Sequence, residues 1–107
     1  MKKKALELFC AVPRQCNCAQ AVAFAAGKAD VAMQMQSCGG GNAPGNLCGA
    51  LYAAVCIAGA AGGERIKEKF LVRHGSVCCR ELKTQLNIPC SVCVETAAEL
   101  LEEEIKE

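Results

Sequence analysis

The sequence predicts an all-α protein, a single compact bundle of about five to six helices with no sheet, and three observations lead to this prediction. Strand signals are missing, because no stretch alternates Val, Ile, Thr and aromatic residues over several positions. Residues that begin or end helices recur along the whole chain. Hydrophobic residues make up 52% of the 107 residues and aromatic residues only 4%, so we expect one cysteine-rich domain, residues 1–107, with a core of small side chains.

The helix boundaries follow from residues with known preferences for helix ends. Asn17 is a good N-cap for the second helix, and Gly27 stops it. Gly62-Gly63 separates two helices in the middle of the chain, and His74-Gly75 ends the second of them. Ser76 can cap the helix that follows, and Pro89 suits the first turn of the last helix. The predicted helical segments span residues 3–12, 17–26, 31–36, 46–60, 64–73, 76–86 and 89–107.

Charge and hydropathy exclude several classes of protein. The net charge is +1, whereas a nucleic-acid binder normally carries a basic face. The longest uncharged apolar stretch, residues 47–63, is shorter than the roughly 20 residues of a spanning helix, so we expect no membrane span. Glu7 interrupts the apolar stretch that follows the basic N-terminus, and a secretory signal is therefore not expected. These observations favour a cytoplasmic protein.

Cysteine is the unusual component, with 10 residues among 107. Stable disulfides need an oxidising compartment, so a cytoplasmic chain with this many cysteines is more typical of a metal protein or a redox protein. Four of the cysteines fall in the first turns of four different predicted helices: Cys18, Cys48, Cys79 and Cys90.

A helix N-terminus carries unpaired N–H groups and a partial positive charge, which favour the thiolate form of a cysteine. Each of the four cysteines also begins an apolar stripe at helical spacing, the clearest being Cys90 with Val94, Ala97 and Leu101. We therefore expect the four thiols to point inward and to converge in the bundle. Cys10 and Cys56 are expected to be ordinary core residues, because free cysteine packs as a small hydrophobe. Phe24, Met33 and Met35 are also expected in the core.

Cys90 and Cys93 form a C-x-x-C whose sulfurs lie near one another in a helix. Such a pair can perform dithiol–disulfide exchange, so Cys93 competes with Cys90 for the role of fourth site cysteine. Cys16 and Cys78 neighbour stronger candidates but lie on other helix faces, and Cys38 lies in the glycine-rich loop.

The order and spacing of these residues resemble the redox-active protein family C_GCAxxG_C_C. The resemblance covers about residues 5–105 and is carried by Asn17-Cys18-Ala19-Gln20, Gly39-Gly40-Gly41, Cys48-Gly49-Ala50, Gly75-Ser76-Val77-Cys78-Cys79 and Cys90. It implies four key cysteines, which map to Cys18, Cys48, Cys79 and Cys90. The chain departs from the pattern at Ala53, where the family has glycine.

Three functions remain open at this point. In the first, Cys18, Cys48, Cys79 and Cys90 bind a [2Fe–2S] or [4Fe–4S] iron–sulfur cluster for electron transfer. In the second, two of these cysteines cycle between dithiol and disulfide without a metal. In the third, zinc bound by the four thiolates closes a structural module. An enzymatic activity, if there is one, would be that of an oxidoreductase. A redox partner protein or oxidoreductase complex is the expected partner, and a homodimer is a further expectation.

Overall fold

The computed structural model describes residues 2–10, 17–35 and 47–106, and within this part of the chain it is all-helical. The elements are α1 (Lys2–Phe9), α2 (Cys18–Ala25), α3 (Ala29–Gln34), α4 (Gly49–His74), α5 (Cys79–Thr84) and α6 (Cys90–Lys106). Among these residues there is no strand, and the β-type pairing is limited to an isolated antiparallel bridge between Leu47 and Cys78. The predicted all-α class is confirmed. With the two helices of α4 counted separately, the described residues form seven helices, slightly more than the five to six expected for the bundle and as many as the predicted segments.

Two predicted helix ends are confirmed in detail. The Asn17 side chain accepts a hydrogen bond from the backbone N–H of Gln20 at 2.7 Å, and the Gln20 side chain accepts one from the backbone N–H of Asn17 at 3.0 Å. This reciprocal capping box satisfies two N–H groups that the helix leaves unpaired. The second confirmed end is the C-terminus of α4, where Gly75 adopts a left-handed conformation with φ 88° and ends the helix.

The break inside α4 lies at Gly59, and the predicted break at Gly62-Gly63 is wrong. Gly59 has φ 86° and ψ −177°, a backbone conformation that is accessible essentially to glycine alone. A straight helix as long as α4 would span about 39 Å. Its two ends nevertheless meet, because the N–H of Cys48 donates to the carbonyl of Val77 at 2.9 Å. The chain therefore reverses at Gly59 and forms a helical hairpin, residues 49–58 and 60–74.

The start of α5 also differs from the prediction. We expected Ser76 to cap this helix, but α5 begins at Cys79. The Ser76 hydroxyl accepts a hydrogen bond from the backbone N–H of Cys78 at 3.1 Å and donates one to Glu81 at 3.2 Å. These bonds hold the turn that precedes α5, and the helix is correspondingly shorter.

Helix α6 packs against α1, α2 and α4, and α2 packs against α4, so the apolar core lies between these four helices. The middle of the predicted α6 stripe is fully buried, as Val94, Ala97 and Leu101 show. The largest fully buried side chains come mainly from α4 and α6: Phe70, Leu51, Ile66, Leu82, Leu100, Leu101, Val22 and Val94.

Some predicted core residues lie at the surface instead. Met33 is 67% exposed and Phe24 is 37% exposed, although Met35 is buried as predicted. Cys10 and Cys56 are also exposed, so their assignment to the core is wrong. Helices α2 and α3 have only eight and six residues, and so short a helix does not define its buried face through a repeating stripe.

Three ion pairs border the interface between α4 and α6. Arg65 binds the Glu104 carboxylate through Nε at 2.7 Å and through Nη2 at 3.0 Å. The other two pairs are looser and more exposed: Lys69–Glu103 at 3.9 Å and Arg73–Glu99 at 3.5 Å. None of the helices in the described part of the chain has the length and hydropathy that crossing a membrane requires.

Candidate functional site

The helical hairpin of α4 places the starts of two helices side by side. The bridge between Leu47 and Cys78, with the Cys48 N–H bonded to the Val77 carbonyl at 2.9 Å, aligns the residues before α4 with the residues before α5. Cys48 is the N-cap of α4, and Cys79 is the first residue of α5. Two of the four predicted site cysteines are thus brought together by backbone pairing that the sequence did not reveal.

The other two predicted cysteines lie close to this pair. Burial raises the pKa of the Cys79 thiol, the Lys83 ammonium lowers it, and charges on Cys48, Cys90 and Cys18 raise it further. Charge on each of these three cysteines therefore acts on Cys79 in the fold. Cys18, Cys48 and Cys90 are thus near enough to Cys79 for their charges to affect it. We call these four residues and Cys93 the cysteine cluster.

Cys93 belongs to the cluster through its contact with Cys48. A hydrogen bond with Cys93 raises the pKa of the Cys48 thiol far above its ordinary value, and burial and the charge of Cys93 raise it further. The N–H groups of Leu51 and Ala50 lower it, but Cys48 makes no side-chain capping hydrogen bond. Cys48 and Cys93 are each 4% exposed, so the two thiols are shielded from water. Because its pKa is raised, Cys48 keeps its proton.

The expectation that helix N-termini favour the thiolate is wrong for Cys48 and Cys79. The pKa of each thiol is raised. The physical reason is that burial and neighbouring sulfurs act on the charged form more strongly than the partial positive charge of a helix end.

Lys83 is a residue of this site that the sequence analysis missed. Its ammonium lies beside the Cys90 thiol, and their hydrogen bond raises the pKa of Lys83 against the opposing effect of desolvation. Charges on Cys90, Cys79 and Cys18 raise this pKa further. Lys83 follows Cys79 by four residues in α5, so helical spacing places both on one face. That spacing is the signal that would have found it.

Cys90 is the most accessible member of the cluster. Cys18, Cys48, Cys79 and Cys93 are buried, whereas Cys90 is partly exposed. Cys90 lines a cavity of about 300 Å³ with Lys83, Asn87, Ile88 and Pro89. Solvent therefore reaches the cluster through Cys90, at the first residue of α6.

The cluster as arranged does not form a ready metal site. Among the residues that the structure describes, no group of three or more His, Cys, Asp or Glu side chains is placed to hold a metal ion. A thiol must also lose its proton to bind a metal, and the proton of Cys48 is held by its hydrogen bond to Cys93. Cys16 and Cys38, and the glycine-rich loop that contains Cys38, lie outside the described residues.

A histidine ends α4 close to the start of α6. His74 Nε2 lies 2.8 Å from the hydroxyl of Thr96, and its ring meets Phe70 edge-on at 4.9 Å between centroids. Thr96 is 4% exposed, so this hydrogen bond satisfies a buried hydroxyl. The contact ties the end of the α4 hairpin to α6 and is structural in character.

Comparison with known proteins adds no relative, since no protein-family model, curated protein or solved structure matches the chain. The resemblance to the C_GCAxxG_C_C family remains a prediction.

Proposed function

We propose that this chain is a small redox-active cysteine protein that performs thiol–disulfide exchange through Cys90 and Cys93. The observation that carries the proposal is their placement in the first turn of α6, where Cys90 is partly exposed and Cys93 is buried. One thiol is then open to a substrate, and the other is protected from solvent but close by in the same helical turn.

The exchange proceeds in two balanced steps. The Cys90 thiolate attacks one sulfur of a substrate disulfide, forms a mixed disulfide and releases the other substrate sulfur as a thiolate. Cys93, deprotonated, then attacks the Cys90 sulfur and releases the second substrate thiolate. The substrate gains two electrons, Cys90 and Cys93 become a disulfide, and a reduced thiol compound or dithiol protein returns them to the starting state.

The neighbouring residues suit these roles. The Lys83 side chain lines the same cavity as Cys90, which places a positive charge beside the attacking sulfur. Cys93 is buried next to the Cys48 thiol, so it is shielded from solvent and from substrates until Cys90 has reacted. Cys90 is thus the attacking residue, and Cys93 is the resolving residue.

Peptide mapping tests the proposal directly. Trypsin cleavage after Lys83 and Lys106 produces a peptide, residues 84–106, whose two cysteines are Cys90 and Cys93. After treatment of the folded protein with an oxidised thiol buffer, we expect this peptide to lose about two mass units and to resist alkylation. Cys90→Ser and Cys93→Ser should each abolish this change, and Cys10→Ser, at an exposed position outside the cluster, should preserve it.

The opposite result is equally specific. If residues 84–106 keep two free thiols while a disulfide forms elsewhere, the proposed pair is wrong. A cross-linked peptide that joins Cys48 to Cys93 would likewise overturn the assignment of Cys90.

A second candidate is a metal centre, either an iron–sulfur cluster or zinc, held by Cys18, Cys48, Cys79 and Cys90. The observation that favours it is that charge on the other three cysteines acts on Cys79. The sulfurs would have to draw closer than they stand, and Cys48 would have to lose its proton. Iron, zinc and acid-labile sulfide are measured after anaerobic purification. A stoichiometric metal that is lost in Cys18→Ser and Cys79→Ser supports this candidate, and no bound metal contradicts it.

A further inference from the structure

The cavity at Cys90 has the size of a small-molecule site. Its volume of about 300 Å³ lies at the lower end of the range for ligand pockets. The cavity is a shallow depression that is open to solvent, and a compound of a few bonded groups around a sulfur fits within it. The accessible thiol of the cluster therefore lies in a surface depression of small-molecule size.

The lining of this cavity carries one sign of charge. Lys83 is its charged side chain, and the other lining residues besides Cys90 are neutral: Asn87, Ile88 and Pro89. Lys83 is exposed, so its ammonium is available to a ligand as well as to the Cys90 sulfur. Ile88 and Pro89 form an apolar wall, against which short methylene chains can pack, and the Asn87 amide can donate or accept a hydrogen bond.

We infer that this cavity binds small thiols and disulfides that carry a carboxylate, with Lys83 as the residue that binds the carboxylate beside Cys90. The inference rests on the proposed exchange at Cys90 and names its class of substrate. A carboxylate two or three bonds from the reacting sulfur meets an ammonium that already lies next to the protein sulfur. A substrate that carries an ammonium at that position is instead repelled by the like charge of Lys83.

Three disulfides of matched chain length test the inference. They are 3,3′-dithiodipropionate, an anion; 2-hydroxyethyl disulfide, which is neutral; and cystamine, a cation. The second-order rate of Cys90 modification is followed by mass spectrometry of residues 84–106 at neutral pH and low salt. Each rate is divided by the rate of the same probe with a small free thiol, which removes the differences between the leaving groups. On this scale we expect the anionic probe to react about tenfold faster than the neutral probe and the cationic probe to react more slowly than the neutral one.

Two variants isolate Lys83 from general effects on the thiol. Lys83→Met should bring the ratio of anionic to neutral rates close to the ratio that the same probes show with a small free thiol, and Lys83→Glu should bring it below that value. Because these variants lack the trypsin site at Lys83, the peptide followed in them is residues 81–106, which also contains only Cys90 and Cys93. A change in the nucleophilicity of Cys90 alters all three rates together, so the ratio reports recognition of the carboxylate. Lys28→Met is the control. Lys28 is an exposed lysine that follows the C-terminal end of α2, whereas Cys18 begins that helix, so this variant should leave the ratio unchanged. Circular dichroism confirms that each variant is folded.

The outcomes separate this inference from the proposed function. If residues 84–106 form their internal disulfide but Lys83→Met leaves the ratio unchanged, the exchange stands and the carboxylate site is wrong. If Cys90 reacts with none of the probes and residues 84–106 form no disulfide, the proposed exchange itself fails. If Lys83→Met loses the preference for the anionic probe but still forms the Cys90–Cys93 disulfide, the result supports both the carboxylate site and the exchange.

Discussion

Two regions of this molecule differ in the chemistry of what they bury. The interface between α4 and α6 buries large hydrophobic side chains such as Phe70, Ile66 and Leu101, with its ion pairs at the border. The cysteine cluster buries small thiols that titrate and that act on one another's pKa. Apolar burial contributes about 25 cal/mol per Å², so the interface accounts for much more of the stability. The cluster instead holds reactive thiols, most of which are buried and shielded from solvent. Stability and chemistry are therefore separable in this fold.

The largest expected difference between the two regions is in the access of reagents to cysteine. Buried thiols react only through opening of the fold, which costs up to the global stability of about 5–15 kcal/mol. We expect Cys10 and Cys56, which are exposed, to alkylate several orders of magnitude faster than Cys18 and Cys48. Timed alkylation followed by mass spectrometry measures the rates. Rapid labelling of Cys18 in the native protein would contradict the description of the cluster as buried.

Truncation of the apolar interface should break stability while it spares the cluster. Phe70→Ala removes a fully buried ring and should destabilise the protein by about 3–5 kcal/mol. Val72→Ala, at a site that is 87% exposed, is the matched control and should change stability by less than about 0.5 kcal/mol. Urea denaturation measures both. The disulfide in residues 84–106 should still form in the folded fraction of Phe70→Ala, and its loss there would show that the regions are coupled.

A backbone change at Gly59 should have an intermediate effect. A Cβ added at Gly59 meets nothing within 4 Å, so Gly59→Ala isolates the cost of φ 86° for an L residue. We expect a loss of about 1–3 kcal/mol. An alanine at Gly63 would be unfavourable for a different reason, namely a steric clash, because its Cβ would lie 2.8 Å from Val55 Cγ1. Ala61→Ser, at an exposed position nearby, is the control. Equal stability of Gly59→Ala and the original chain in urea denaturation would be inconsistent with the reversal at this residue.

The smallest expected effect is a dependence of stability on pH through His74. Burial, and next the charge of Arg73, lowers the pKa of His74 below its ordinary value of 6.5. The unfolded chain therefore binds the proton more tightly, so the stabilisation is complete above pH 6.5 and is lost as pH falls through the lower pKa of the folded state. Urea midpoints at pH 7.5 and pH 5 measure the loss. His74→Gln should remove this part of the pH dependence, and an unchanged slope in that variant would assign it to other groups.

The sequence predicted the features that depend on local preferences. Asn17 caps α2, Gly75 ends α4, and Val94, Ala97 and Leu101 face the core, because capping chemistry and a long apolar stripe act within one helix. It could not place the break at Gly59, because Gly59, Gly62 and Gly63 lie in one stretch of alanine and glycine and only the tertiary fold decides which of them takes a positive φ.

The cluster shows the same limit for a functional site. The four cysteines at helix starts were selected from the sequence, and charges on Cys18, Cys48 and Cys90 do act on Cys79. The pairing of Cys48 with Cys93 was missed, because it depends on how α4 and α6 cross. The raised pKa values were also missed, since burial is a property of the whole fold and a helix end is a property of one segment.

The hairpin formed by α4 has a consequence for how the cysteines find one another. A flexible chain that joined Cys48 to Cys79 would lose entropy each time its ends met, by an amount that grows with the logarithm of its length. Two packed helices with a fixed reversal at Gly59 pay that entropy once, during folding. The two sulfurs are then held at a high effective concentration with respect to each other, as two ligands on a rigid linker are.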